Sequence, residues 1–535
     1  MITEILDSSP KGIARAGELL RAGGLVAIPT ETVYGLAANA LDAAAVRKIF
    51  QAKGRPGDNP LIVHITETGQ WASLVSSLPK KAIELAERFW PGPLTIILPK
   101  SEQVPYETSG GLDTVAVRCP SHPAARAVIE AAGVPLAAPS ANLSGRPSPT
   151  TFAHTRAYLE GRVDALLDGG SCRVGVESTV VSLCGDVPRL LRPGGVTAAE
   201  LREVLGSLEV DPAVTGGLRP GERAESPGMK YKHYAPRARI EIVDGSPEEF
   251  IEYVNSLGNT PGTCALCFDE TEKYVKIPAV TYGSRYDRAA QARELFEALH
   301  RLDGLGAHRA LAQMPGRAGV GLAVYNRLMR AAAFRVMTLP GPMVVGLTGP
   351  SGAGKSTVAG GLVERGFQLI DCDRLTRRED VYDSECIAAL AQAFGQDVAP
   401  GGRLDRRKLA GRAFRDAGSV KLLGELTFPA ITRAVRRELC GMDGPVLLDA
   451  PTLFESGLDS ICRRILAVTA PEEVRIRRVM ARDGLDEAEA LARFSAQHPE
   501  EYYIQRADLA VDNGGGAVMD TELDRICAEL KGDCR

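Results

Sequence analysis

Gly349, Pro350, Ser351, Gly352, Ala353, Gly354, Lys355 and Ser356, followed by Thr357, complete a G-x-x-x-x-G-K-[ST] run. Glycines at these spacings let successive backbone N–H groups turn into one concavity, which suits a phosphate chain. The lysine at its end can reach the β- and γ-phosphates of ATP, and the Ser356 hydroxyl can ligate Mg2+. Asp371 and Asp373 follow the apolar run Gln368–Ile370, and Asp449 follows Val446–Leu448. Carboxylates at the carboxyl ends of strands face the ligand crevice of an open α/β sheet. One of the pair can take the proton of an attacking hydroxyl while another holds magnesium through water. Arg475, Arg477, Arg478 and Arg482 lie on one helical stretch and suit a phosphate-clamping lid; a solvated basic face is the plainer reading for all but Arg482.

The first 200 residues carry four polar constellations. They are Pro29–Leu36 (PTETVYGL), Lys53–Leu61 (KGRPGDNPL), Ala138–Gly145 (APSANLSG, continuing to Ser148) and Gly175–Val180 (GVESTV, with Arg192-Pro193-Gly194 after it). All place cationic, hydroxyl or amide donors on Gly- or Pro-bearing loops, beside a strand that carries His64 in one case. Such donors suit an anionic ligand such as a nucleotide. Metal-ligand spacing, a Ser-His-Asp order and a nucleophilic cysteine context are all missing. The residues by themselves therefore imply an anion-binding α/β site and nothing narrower.

The elements that must position these loops alternate in the manner of α/β domains. Short apolar runs at Gly24–Pro29, Leu61–Ile65, Leu94–Leu98, Val115–Arg118 and Val180–Leu183 alternate with helical periods at Ala43–Ala52 and Lys80–Phe89. Residues 1–210 read as one α/β domain. The Gly-, Pro- and charge-rich segment 211–238 reads as a linker, longer than a normal connection. Residues 239–336 read as a small α/β accessory domain, with strands at Arg239–Val243 and Cys264–Phe268, a helix at Asp287–Leu302 and no polar constellation of its own. After the break TLPGP, residues 341–535 read as a kinase domain with a parallel sheet flanked by helices.

Composition narrows the class. The 535 residues are enough for about three domains. Lys+Arg (63) and Asp+Glu (67) nearly cancel, so the whole chain is not a basic nucleic-acid binder. The 11 cysteines are scattered, as expected of reduced thiols in a cytoplasmic protein. The single CxxC, Cys264 to Cys267, reads as part of a buried strand. The start MITEILDSSPKG lacks a basic and apolar leader, and no run is long enough to span a membrane.

Two resemblances go further. GLTGPSGAGKST, LIDCDRL, GGRLDRRKLAGRAF, VLLDAPTLFESGL, VMARDGLDEAEALARFSAQ and ADLAVDNGG resemble bacterial dephospho-CoA kinases over nearly the whole last domain. The resemblance implies phosphorylation of the ribose 3′-hydroxyl of dephospho-CoA by ATP. It makes Asp373 the base, Lys355 catalytic, Gly349–Thr357 with Arg482 the ATP site, and Ser356, Asp371 and Asp449 the Mg2+ site. The family's His-Pro pair reads Phe428-Pro429 here. PTETVYGL, KGRPGDNPL, FWPGPLT, VAVRCP, APSANLSGRPSPT, GVESTVV, LRPGG and SPGMKYKHYAP resemble the long form of the YrdC-type threonylcarbamoyl-AMP synthases over residues 1–335. That resemblance implies formation of threonylcarbamoyl-adenylate and pyrophosphate from L-threonine, bicarbonate and ATP, feeding the modification of adenosine 37 in tRNA; tRNA or the downstream transfer complex is an expected partner. By it, Thr32, His64, Arg118, Ala138 and Ser178 surround threonine. Arg55, Asn59, Thr114, Ser140, Ser148 and Arg192 hold ATP, with Tyr231, His233 and Tyr234 closing over the site. Lys53 and Arg55 act on the reacting charges. The competing readings are a non-catalytic RNA-binding module for the first part and another small-molecule kinase for the last.

Overall fold

In the computed structural model, residues 2–216, 226, 234–258, 260–495, 497–515 and 520–531 are described. The chain divides into two compact units. The first comprises Met1–Val243 with Tyr253–Met337, and the second Asp244–Glu252 with Thr338–Cys534. The block expected at 1–210 falls in the first unit, as does the block expected at 239–336 apart from Asp244–Glu252.

The first unit holds a mixed sheet of eleven described strands. Its order is Glu4–Asp7, Ala165–Asp168, Val26–Ile28, Gly35–Asn39, Leu136–Ala137, Ile62–His64, Thr114–Arg118, Leu94–Pro99, Thr179–Ser182, Arg189–Arg192 and Glu209–Val210. The expected strands all appear, but antiparallel pairs such as Thr95 with Arg118 interrupt the parallel ones. Helix Pro10–Arg21 starts where the Ser9 side chain accepts the Gly12 N–H and proline occupies the first turn. It lies hard against helix Pro123–Ala132: a Cβ on Gly17 would sit 2.7 Å from Ala131, so only glycine permits the approach. Helix Ala43–Lys53 is capped by Asp42 at its start and stopped by Gly54 in the left-handed region, φ +59°.

A five-stranded sheet in the order Ala279–Thr281, Thr263–Cys267, Arg309–Gln313, Arg239–Asp244 and Val336–Thr338 follows. Cys264 and Cys267 lie buried in its Thr263–Cys267 strand. The described cysteines are free.

In the second unit a five-stranded sheet runs Gln368–Asp371, Pro445–Asp449, Met343–Thr348, Arg464–Thr469 and Leu509–Asp512, all pairs parallel. Its three central strands are buried on both faces beneath helices, as parallel sheets require. Among the described residues no helix is long and apolar enough to cross a membrane.

Candidate active sites

In the first unit, Thr32, Arg55, His64, Arg118, Ala138, Ser140, Ser178, Arg192 and Tyr234 line one pocket. Loops from four separate strand ends deliver them. Arg192 donates from Nε to the Ser178 carbonyl and from Nη2 to the Ser178 hydroxyl, each at 3.0 Å. Arg55 makes only long contacts, 3.5 and 3.4 Å, to the Asn59 and Pro60 carbonyls, and its Nε is buried without a partner. Burial pulls both guanidiniums down to about 10; the charge of Arg192 adds to the shift of Arg55, and those of Arg327 and Arg118 add to the shift of Arg192. Two confined cations, one of them with a buried Nε that has no partner, make a strong anion receptor.

Arg118 is paired at 2.6 Å with buried Glu31, whose other oxygen accepts the Ser121 N–H at 3.2 Å. Burial alone would raise the Glu31 carboxyl; Arg118 outweighs it and holds it low. The His64 ring, with Nδ1 3.1 Å from the Ile62 carbonyl, is driven down to about 3 by burial and by Arg118. It is therefore a neutral imidazole at pH 7. The Thr32 hydroxyl is 2.8 Å from that of Thr30, and the Ser178 hydroxyl 2.8 Å from that of Thr95. Tyr234 takes a left-handed backbone conformation, φ +64°, and buries its ring against Phe296 with centroids 5.3 Å apart.

Four expected residues do not line the pocket. Lys53, fully buried at the end of its helix, donates to the carbonyls of Ser140 and Asn142. Burial and the neighbouring Arg55 push its ammonium well below the ordinary lysine range. Its contacts shape the Ser140–Asn142 loop, so the expectation of direct action on the reacting charges gives way to a staple. Ser148 donates to Glu177 Oε1 at 2.6 Å. Asn59 is buried with its Oδ1 unpartnered. Thr114 is half-buried at the far end of its strand, opposite Pro99. Tyr231 and His233 lie outside the described residues.

Sequence reasoning missed Glu31 and Glu177, although both sit inside the motifs PTETVYGL and GVESTVV. It also read the accessory segment as lacking polar constellations. The structure corrects this: Asn326, Arg327 and Arg330 are all buried on helix Gly321–Ala331. Apolar neighbours three and four positions away, Ala323, Val324 and Ala331, signal that Arg327 is buried, but nothing in the sequence points to its partner.

In the second unit, Ser351, Gly352, Gly354, Lys355, Ser356, Thr357, Asp371, Asp373, Asp449 and Arg482 line a second pocket. Gly349, Pro350 and Ala353 shape the loop from behind. Gly349 has φ +141°, and a Cβ there would lie 2.1 Å from the Val468 carbonyl oxygen. Lys355 Nζ donates to the Gly349 carbonyl at 2.8 Å. Asp371 caps the helix Cys372–Leu375 by accepting the Arg374 N–H at 2.9 Å. Asp449 is pushed up to about 6, first by burial and then by Asp371 and Asp373, with Lys355 pulling the other way. Its Oδ1 is buried without a partner. No group of three or more His, Cys, Asp or Glu side chains among the described residues holds a metal by itself. Magnesium at a phosphoryl-transfer site takes only one or two carboxylates beside phosphate oxygens, and a crowded, unpartnered Asp449 fits that need.

Arg482 forms a bidentate pair with Asp483, both contacts 2.7 Å. The sequence leaves Arg478 open between a lid and a solvated basic face and does not single out Gln497 or Asn513. Arg478 donates to the Gly352 and Ala353 carbonyls at 3.3 Å, Asn513 donates to the Ala353 carbonyl at 2.9 Å, and Gln497 bonds Ser351 through both its ends, at 3.1 and 2.7 Å. Arg477 is exposed.

The two pockets define a pair of ATP-using transferase sites, one on a mixed α/β sheet and one on a parallel phosphate-loop sheet. Family models match accordingly: one described as telomere recombination covers residues 18–194, the C-terminal domain of threonylcarbamoyl-AMP synthase covers 196–333, and dephospho-CoA kinase covers 343–518. The threonylcarbamoyl-AMP synthase of Pyrococcus abyssi is 46% identical over 328 residues, which is 60% of this chain and 94% of that protein. The dephospho-CoA kinase of Anaeromyxobacter dehalogenans is 39% identical over 195 residues, 35% of this chain and 92% of that protein. A crystal structure of P. abyssi Sua5 complexed with L-threonine superposes with TM-score 0.59 at 42% identity, covering 64% of this chain and all of that one. The chain belongs to the threonylcarbamoyl-AMP synthase family through its first unit and to the dephospho-CoA kinase family through its second, as a bifunctional enzyme.

Proposed function

We propose that the first unit joins L-threonine, bicarbonate and ATP into threonylcarbamoyl-adenylate for modification of adenosine 37 in tRNA, and that the second transfers the γ-phosphoryl of ATP to the 3′-hydroxyl of dephospho-CoA. Both reactions belong to the cytoplasm. In this reading residues 1–210 carry the synthase pocket, 211–238 link it to the accessory domain 239–336, and 341–535 are the kinase. The observation that carries the first half is the pair of buried guanidiniums, Arg55 and Arg192, in a pocket that also offers the Thr32 and Ser178 hydroxyls. Threonine carbamate and ATP are both anions. The carbamate oxygen attacks the α-phosphorus, the bond to the β-phosphate oxygen breaks, and pyrophosphate leaves. Arg55 and Arg192 offset the repulsion and stabilise the charge gathered on phosphorus. Arg118, oriented by Glu31, faces the threonine carboxylate. The neutral His64 offers no charge to compete with it.

In the kinase, Asp373 takes the proton of the ribose hydroxyl as its oxygen attacks the γ-phosphorus and ADP leaves. Lys355 and the loop amides hold the phosphates, and Arg482 closes over them. Ser356, Asp371 and Asp449 would hold Mg2+, which would supply positive charge to the phosphate oxygens.

The test is mass spectrometry of products from the full chain given ATP, bicarbonate, threonine and dephospho-CoA, together and singly. Threonylcarbamoyl-adenylate should require the first three and CoA only ATP and dephospho-CoA. Tight RNA binding with no adenylate would replace the first half by a binding module. CoA absent while nucleosides or shikimate are phosphorylated would replace the second.

A further inference from the structure

Arg327 is the only arginine of the described residues counted among the largest fully buried side chains, with no exposed surface at all. It sits on helix Gly321–Ala331 of the accessory sheet, yet every polar contact it makes outside that helix is to a loop of the synthase pocket. Its Nε donates to Glu177 Oε2 at 2.8 Å, Nη2 to the Glu177 carbonyl at 3.3 Å, and Nη1 to the Pro193 carbonyl at 2.7 Å, with Asn326 Oδ1 at 3.1 Å steadying the fork. Glu177 lines the pocket beside Arg55 and Arg192. Its second oxygen takes the Ser148 hydroxyl at 2.6 Å. The Arg327 guanidinium also lies 5.9 Å from the centre of the Tyr234 ring. Two further anchors fix the same helix: Asn326 donates to the Val214 carbonyl at 2.6 Å and Arg330 to the Ala213 carbonyl at 2.8 Å.

We propose that Arg327 is a positioning residue for the synthase: by neutralising Glu177 from the accessory domain it keeps Arg192 and Arg55 aimed at ATP. This inference rests on the synthase reading above. A buried carboxylate in a pocket meant for a triphosphate opposes binding unless a cation is dedicated to it. Arg192 is the pocket cation nearest in role to do so, but its fork is occupied on Ser178, its own substrate-side neighbour. With Arg327 in place, Glu177 spends its charge on the accessory helix. Without it, Glu177 would draw Arg192 away from the phosphates and add an uncompensated negative charge beside them. The planar fork matters as well, because one side chain ties the Glu177 strand end to the Pro193 turn. The accessory domain therefore completes the synthase pocket; it is not an appendage to it.

The test uses the full chain, threonine-dependent ATP–pyrophosphate exchange, and CoA formation as an internal control. Arg327→Met should raise the KM for ATP by about 10-fold or more while kcat falls less, with CoA formation unchanged. Adding Glu177→Gln to Arg327→Met should bring the ATP KM back to within about 3-fold of the parent, because the orphaned charge is gone. A merely structural arginine predicts the reverse, since the second change empties the hydrogen-bonded hub further. Arg327→Lys and Arg327→Gln give the same answer if the Met variant does not fold: lysine, which keeps the charge, should hold the KM within about 3-fold, and glutamine should not. Equal losses in Lys and Gln, or no recovery in the double variant, overturn the proposal while leaving the synthase reading intact. An unmodified chain that shows no threonine-dependent exchange overturns both.

Discussion

Asp371 and Asp449 are register partners at the carboxyl ends of adjacent parallel strands, so two carboxylates meet across one ladder rung beside Lys355. That pairing has a thermodynamic consequence. The Asp449 carboxyl rises from 3.8 to about 6 when the chain folds, so the folded state holds its proton more tightly than the unfolded one. The contribution of Asp449 to stability is then greatest below about pH 4, falls as pH rises towards 6, and stays lowered above it, by on the order of 2–3 kcal/mol. Asp449→Asn should therefore raise the melting temperature of the kinase unit at pH 7 without Mg2+, by a few degrees, and the gain should vanish near pH 4. The same variant should lose most CoA-forming activity. Thermal melts at both pH values check it: a variant no more stable at pH 7 than its parent would mean Asp449 is not under strain.

The two pockets share no residue, so their losses should separate. Lys355→Ala should lower CoA formation by about 10²–10³-fold and leave threonine-dependent exchange alone, since it removes a charge from the phosphates of one ATP only. Arg55→Ala should do the reverse by a similar factor. Paired assays on each variant decide this. A single substitution that silences both activities in a chain that still melts cooperatively would contradict the two-site arrangement.

How far the sequence reached differed between the sites, for a physical reason. The phosphate loop is local: its glycines, lysine and serine are consecutive, and the flanking strand and helix are readable from apolar period alone. The synthase pocket is assembled from strand ends far apart in the chain, and residue types cannot say which member of a motif turns inward. Hence Arg55, Ser140 and Arg192 reached the pocket, while Lys53 and Ser148 turned out to hold the loops behind it. The antiparallel strands of the large sheet were equally hidden, because an apolar run of four or five residues carries no direction. Arg327 lay beyond reach for a further reason. Its partner Glu177 is 150 positions away, and only tertiary packing brings a helix of the accessory sheet onto that turn.

Lys53 offers a sharper test of that distinction. Its ammonium satisfies the Ser140 and Asn142 carbonyls, and its folded pKa lies below the ordinary value. Lys53→Met fills the same stem volume but leaves both carbonyls without their donor, at a cost of about 2–4 kcal/mol. Such a variant should lose stability at pH 7 along with ATP affinity. The pKa sign adds a second expectation: a buried lysine that binds its proton less tightly when folded makes the chain more stable as pH rises towards the ordinary lysine value, so the Met variant should gain less from raising pH than its parent. A charge that acted on substrate alone would reduce turnover and leave the melting temperature unmoved.

Gly194 sets how closely the Arg192 loop approaches the facing strand end. A Cβ there would lie 2.3 Å from the Thr179 amide nitrogen and 2.5 Å from the Glu177 carbonyl oxygen, all rigid backbone of the facing strand end. No rotamer relieves such an overlap, so Gly194→Ala must push the Arg192–Gly194 turn outward. Arg192 would then lose its two contacts to Ser178, and Arg327 its contact to the Pro193 carbonyl. Displacement of about an ångström at a charge-bearing loop is enough to cost about 10²-fold in rate. The expected result is a chain that forms CoA normally and makes adenylate about 100-fold more slowly. Normal adenylate formation in this variant would show that the turn can retreat without moving Arg192, and that the guanidinium is held by something other than the fit of Gly194 against Glu177.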